Sequence, residues 1–237
     1  MLSAFGRVVK TADLRRKLLF TLAMIVLYRV GTFIPAPGVS YGNVQQCLNA
    51  NVTSGGVYDI VNLFSGGALL QLSIFALGVM PYITASIIIQ LLRVVIPRFQ
   101  ELHDEGAQGQ AKLTQYTRYL TIALALLNAT TIVSMARSGV LLGNCPGIIP
   151  QDDVLHILLI IVTLCAGTTV IMWMGEQITE RGVGNGMSLL IFTSIASSFP
   201  SALGSIQRTH GWGIFAAVCG IGLLVMLAVV CVEQSVR

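Results

Sequence analysis

Few residues in this chain have the types and spacing that chemistry requires. The three histidines, His103, His156 and His210, are far apart: two sit in polar stretches and His156 lies one turn into an apolar run. A metal site needs three or four Cys, His or carboxylate ligands brought together, and no such cluster is written here. Asp152 and Asp153 form a carboxylate pair, but an apolar run follows at once, so they read as an N-cap with a favourable charge at a helix start. Gly182, Gly184 and Gly186 do not have the spacing of a dinucleotide loop and follow no strand. A G-x-S-G nucleophile turn and a phosphate-binding Walker A sequence are both missing from the chain. Neither an enzyme activity, a cofactor nor a metal is expected.

What must position any functional residue here is a set of membrane helices. Of 237 residues, 54% are hydrophobic and 10% charged, with a mean hydropathy of +0.80. Soluble domains carry about 25% charged residues, and so sparse a set cannot cover a water-facing globule of this size. This excludes a soluble enzyme, a disordered tail and a nucleic-acid binder working through a basic face. The apolar runs are continuous, not alternating, which excludes a transmembrane β-barrel. An all-α integral membrane protein is expected, with six crossings at 18–35, 71–96, 116–136, 154–174, 187–203 and 213–232.

Charge then sets orientation. Arg7, Lys10, Arg15, Arg16, Lys17, Arg93, Arg98, Lys112, Arg118, Arg181 and Arg237 fall on one side of such a bundle. Only Arg137 and Arg208 fall on the other, and Arg29 lies inside the first crossing, where it either snorkels or binds the carbonyls at a neighbouring helix end. The basic side is cytoplasmic by the positive-inside rule, which puts both termini there, with residues 1–17, 97–115 and 175–186, and puts 36–57 outside. Arg29, the prolines at 35 and 37 and five further crossings argue against a cleaved secretory signal. Of five cysteines, Cys165, Cys219 and Cys231 sit in crossings. Cys47 and Cys145 fall in extracytoplasmic loops, the one compartment here where a disulfide could persist, although two free thiols that never meet is the plainer reading.

Three features exceed what a set of anchors needs. The first is a short apolar segment: Tyr58, Asp59, Ile60, Val61, Asn62, Leu63, Phe64, Ser65, Gly66 and Gly67. As a helix it would be about 15 Å long, half a membrane, either lying flat at the interface or dipping into a cavity. The second is the crossing 71–96, overlong and interrupted by Gly78 and Pro81, for which a proline kink is expected, with Val79 and Ile83 on one face beside it. The third is the charged, glycine-rich link carrying Glu176, Glu180, Arg181, Gly182, Gly184 and Gly186, which suits a hinge and equally a tight connection.

Taken together, the stretches Tyr-Arg-Val-Gly-Thr-Phe-Ile-Pro from Tyr28, Asn-Leu-Phe-Ser-Gly-Gly-Ala from Asn62 and Ile-Phe-Ala-Leu-Gly-Val-Met-Pro-Tyr from Ile74 resemble the SecY family, the channel subunits of the Sec translocon. Gln-Tyr-Thr-Arg-Tyr from Gln115 and Met-Trp-Met-Gly-Glu-Gln-Ile-Thr-Glu-Arg-Gly-Val-Gly-Asn-Gly from Met172 match it as well. The N-terminal region and the Cys47 loop look most similar to actinobacterial members. The resemblance implies one half of a ten-helix inverted-repeat channel in the bacterial plasma membrane. It would conduct unfolded secretory chains and release membrane segments through a lateral gate walled by crossings two and three. It implies a plug at 58–67, a pore ring that includes Val79, Ile83, Met187 and Ile191, and a cytoplasmic hinge loop at 175–186. Implied partners are SecE, SecG, SecA, the ribosome, signal-sequence-bearing polypeptides and lipids.

The family has ten crossings and this sequence carries six, so an N-terminal part that does not conduct by itself is expected. Two rival readings remain open at this point. One is a membrane scaffold remnant that binds SecE; the other is a secondary transporter for small solutes, which would place polar ligands at the midplane.

Overall fold

The computed structural model describes residues 12–39, 42, 44, 67–69, 71–138 and 153–235. These form six helical elements: α1 (Ala12–Phe33), α2 (Met80–Val95), α3 (Pro97–Asp104), α4 (Ala107–Arg137), α5 (Val154–Arg181) and α6 (Gly186–Ser235), the last of which is two helices broken at Gly211. Among the described residues the only β-type pairing is an isolated bridge between Pro35 and Ser73. The chain divides into two compact units, Met1–Ile195 and Ala196–Arg237.

In the first unit, α4 packs on α2, α3 and α5, and α5 packs on α1. The long helices α1, α4 and α5 each bury a stripe at helical spacing. In α1 it is Thr21, Met24, Tyr28, Gly31 and Thr32. In α4 it is Gly109, Leu113, Thr117, Thr121, Ala125, Ala129, Val133 and Ala136, a row of mostly small side chains that lets backbones approach closely. The opposite faces carry exposed Leu19, Leu22, Leu27, Tyr119, Leu127 and Leu158, as helices facing hydrocarbon should.

Proline chemistry places two helix boundaries. Pro97 pushes Ile96 out of the helical region (φ −106°, ψ 113°), ending α2, and itself occupies the first turn of α3, where a missing N–H costs nothing. The two helices meet at a 101° bend. Pro81 likewise sits in the first turn of α2. The kink expected inside a continuous 71–96 crossing is therefore absent. Residues 71–79 form successive tight turns, closed by bonds such as Ala76 N–H to the Ser73 carbonyl (2.9 Å) and Gly78 N–H to the Phe75 carbonyl (2.9 Å). Gly78, at φ 58°, supplies a conformation that no helix contains.

Other boundaries also differ from the hydropathy reading. The expected polar loop 97–115 holds α3 and the start of α4, and α5 continues past 174 to Arg181. Asp153 occupies the N-cap of α5 but makes no side-chain capping bond, leaving its charge near the helix start; Asp152 lies outside the described residues. Among the described residues, three helices, Ala107–Arg137, Val154–Arg181 and Gly211–Val232, are long and apolar enough to cross a membrane, or four spans if the bent α2–α3 pair counts as one. α1 and the shorter apolar helix Gly186–Pro200 lie where the first and fifth crossings are expected. The charges of Arg15, Arg16 and Lys17 dilute the apolar character of α1.

In the second unit the backbone leaves helical geometry at Gly211 (φ 77°, ψ 178°), a conformation that suits glycine. The span Gly211–Val232 begins there.

Candidate functional site

The site is built where the 71–79 turns meet the starts of α2 and α6. Val79, at the N-cap of α2, is 2% exposed, and Met187, in the first turn of α6, is 8% exposed. Both belong to one buried cluster with Met24 and Tyr28 of α1, Phe75, Ile171, Met172, Met174 and Ile178 of α5, and Leu190. Ile83 and Ile191, one turn further along their helices, are half-buried and pack against the same cluster. Four aliphatic side chains from two separate segments thus converge on one apolar knot with no ligating group among them.

Close approach holds the knot in place. Gly175 of α5 has no side chain because the Met187 thioether occupies the space a Cβ would fill. Gly31 of α1 receives the Phe75 ring in the same way, and that ring stacks on Tyr28 at 5.9 Å and 10°. Gly167 admits the carbonyl of Ile74 against α5. The Tyr28 hydroxyl lies 2.7 Å from Ser194 Oγ, and Ser194 donates to the Leu190 carbonyl at 3.0 Å, so a buried polar pair ties α1 to α6. The extended backbone after α1 is pinned to the turns by Ala36 N–H to the Leu72 carbonyl (2.9 Å) and Ile74 N–H to the Ile34 carbonyl (3.0 Å). Ser73 Oγ, enclosed here, has no hydrogen-bond partner among the described residues.

The glycine-rich link is short and densely bonded. Gly182 N–H closes the end of α5 on the Ile178 carbonyl (2.8 Å), and Val183 N–H reaches Thr21 Oγ1 of α1 (3.3 Å). Asn185 Oδ1 caps α6 by accepting from Met187 N–H (3.1 Å) and Ser188 N–H (3.4 Å). Gly186 N–H is taken by Thr179 Oγ1 at 2.9 Å, and its Cα sits against the Gly175 carbonyl, where no Cβ fits. Gly184 has open space around it and a φ of 76°, so its requirement is conformational. Glu180 and Arg181 are exposed at the end of α5.

Glu176 departs from the link's pattern. Its carboxylate accepts two hydrogen bonds from the Arg118 guanidinium of α4, at 2.9 Å from Nε and 2.7 Å from Nη2, and its side chain is 17% exposed. Nothing in residue type or spacing marks this pair, since Arg118 counts there only as a cytoplasmic charge and 58 residues separate the partners. Nearby, the half-buried Arg93 of α2 rests against His103 of α3, 3.3 Å from either ring nitrogen. Arg29 is half-buried with its guanidinium 5.3 Å from the centroid of the Phe33 ring, a cation–π contact.

Of the short segment 58–67, only Gly67 is among the described residues, at φ 89° in a turn; Cys47 and Cys145 also lie outside them. Among the described residues, no group of three or more His, Cys, Asp or Glu side chains is arranged to hold a metal ion.

Comparison with known proteins gives consistent results. The SecY family model matches residues 73–237. The protein translocase subunit SecY of Micrococcus luteus is 62% identical over 237 residues, covering 100% of this chain and 54% of the relative. Those of Streptomyces scabiei and Mycobacterium tuberculosis are 57% and 55% identical, again over the whole chain and 56% and 54% of their own lengths. The chain therefore spans about half the length of the curated relatives it matches. Among solved structures, a protein-conducting channel and the Sec61 of the canine ribosome-channel complex from the endoplasmic reticulum each superpose with a TM-score of 0.52. Each match has 18% identity and covers 84% of this chain and 39% of the other, so it speaks for the fold alone.

Proposed function

The chain belongs to the SecY family of multi-pass membrane proteins, and on that premise we propose that it supplies the N-terminal part of a protein-conducting channel. In this reading Val79, Ile83, Met187 and Ile191 form their share of a constriction through which unfolded secretory chains pass outward. The observation that carries it is their convergence on a single apolar cluster. Aliphatic side chains offer a hydrated ion no ligand, so the constriction resists ions by dewetting. Their contacts are non-directional, so the same side chains part around a passing peptide of any sequence. Met187 adds an unbranched thioether that adapts to varied shapes.

Residues 58–67 serve as the plug in this reading, and the 175–186 link as the cytoplasmic connection around which the segments move. α2 and α4 contribute one wall of the lateral gate, where apolar signal segments partition from channel to lipid. The membrane is the bacterial plasma membrane, with the basic ends of α1, α2, α4 and α5 and both termini cytoplasmic. SecE, SecG, SecA and the ribosome are the partners.

The test uses the complete complex reconstituted in vesicles. Replacing Val79 and Met187 by Ser should raise resting ion conductance while a signal-bearing precursor is still taken up. Unchanged conductance overturns the constriction. Precursor uptake that is equally fast in vesicles without this chain overturns the channel reading in favour of a scaffold.

A further inference from the structure

One turn of α5 faces two ways. Gly175 seats the Met187 thioether, Ile178 lies against Gly182 and Gly186, and Thr179 Oγ1 holds the Gly186 N–H at 2.9 Å. Between them, Glu176 is gripped by Arg118 of α4 through two hydrogen bonds, at 2.9 and 2.7 Å. The backbone that fixes Met187 is therefore the backbone that the ion pair fixes.

Beside the pair, the buried α4 stripe is less directional. Its side chains are mostly small, and Thr117 and Thr121 donate their hydroxyl protons to carbonyls of their own helix, at Leu113 (3.0 Å) and Thr117 (2.7 Å). Such a surface favours close contact but has little preference for one axial position. A bidentate guanidinium–carboxylate contact is directional and does have one. With Glu176 at 17% and Arg118 at 43% side-chain exposure, solvent screens the attraction in part, so the pair acts more by geometry than by strength.

We propose that Arg118 and Glu176 are positioning residues for the constriction: by locking the axial position of α5 against α4 they hold Gly175 under Met187 and keep the apolar seal closed at rest. This rests on the constriction reading above.

Resting ion conductance and precursor uptake are measured on the complete reconstituted complex carrying Glu176→Gln, Arg118→Gln, both together, or Val79→Ser as a control on the constriction. Each single replacement should raise resting conductance about fivefold with precursor uptake retained. The double variant should go no further, because the second change removes an interaction already lost. Singles that match the parent while Val79→Ser leaks overturn the proposal, as does a double variant whose effect is the product of the singles, about 25-fold. If Val79→Ser does not leak, the constriction reading falls and takes this one with it. Should Glu176→Gln fail to accumulate in membranes, Arg118→Lys takes its place, keeping the charge without the planar fork. A smaller rise is then expected, and an unchanged conductance overturns the proposal.

Discussion

Glycines at three positions along α5 and the link are occupied by neighbours in different ways, and the differences predict unequal costs. At Gly175 the intruder would be the end of a flexible side chain, Met187 Sδ and Cε, whereas at Gly186 it would be the Gly175 carbonyl and at Gly167 the Ile74 carbonyl, both backbone. Gly175→Ala should therefore cost about 1–3 kcal/mol and expel the Met187 thioether. Gly186→Ala and Gly167→Ala must move backbone and should cost more, which thermal inactivation in detergent would rank. Tyr28→Phe is milder. It removes one hydroxyl from a buried pair while Ser194 keeps its bond to the Leu190 carbonyl, so about 1 kcal/mol is expected by the same assay. Chemical character was legible at this scale, since the aliphatic types at 79, 83, 187 and 191 can be read directly. The partners were not. Tyr28 and Ser194 are 166 residues apart, and neither type nor spacing couples them.

At the scale of elements, the apolar runs at 116–136, 154–174 and 213–232 fall inside the helices Ala107–Arg137, Val154–Arg181 and Gly211–Val232, because a long apolar run in hydrocarbon must satisfy its backbone bonds as a helix. Hydropathy failed where a short apolar run is buried by protein and not by lipid. Residues 71–79 are as apolar as a crossing, yet they fold as turns with the backbone carbonyls at Ile34 and Leu72 bonded between segments. Their side chains fill two separate clusters, Leu72, Ala76 and Leu77 in one, Phe75 and Val79 in the other. Composition cannot separate that case from a helix, and Pro81 read as a kink was in fact a start. The α2–α3 boundary yields a prediction. Pro97→Ala frees Ile96 to become helical, so the 101° bend should open, increasing the distance between spin labels at Gln90 and Gln100. Asn185→Ala should cost about 1 kcal/mol and accelerate hydrogen exchange at the Met187 and Ser188 amides, the two groups it caps.

For the whole molecule, the structure shows a first unit built around two apolar clusters that both draw on the segment ending at Val79, and helices that expose many large apolar side chains. That shared segment has a consequence for biosynthesis. Its buried neighbours, Ile160 and Leu164 on one side and Ile171 and Ile178 on the other, are encoded roughly a hundred residues later. At about 5–20 residues per second, a ribosome needs about 5–20 s to deliver them. Throughout that interval Phe75 can meet only Gly31 and Tyr28 of α1, and the α5 and α6 side chains that complete the cluster around Val79 are still unmade, so this cluster is among the last parts of the first unit that the growing chain can complete.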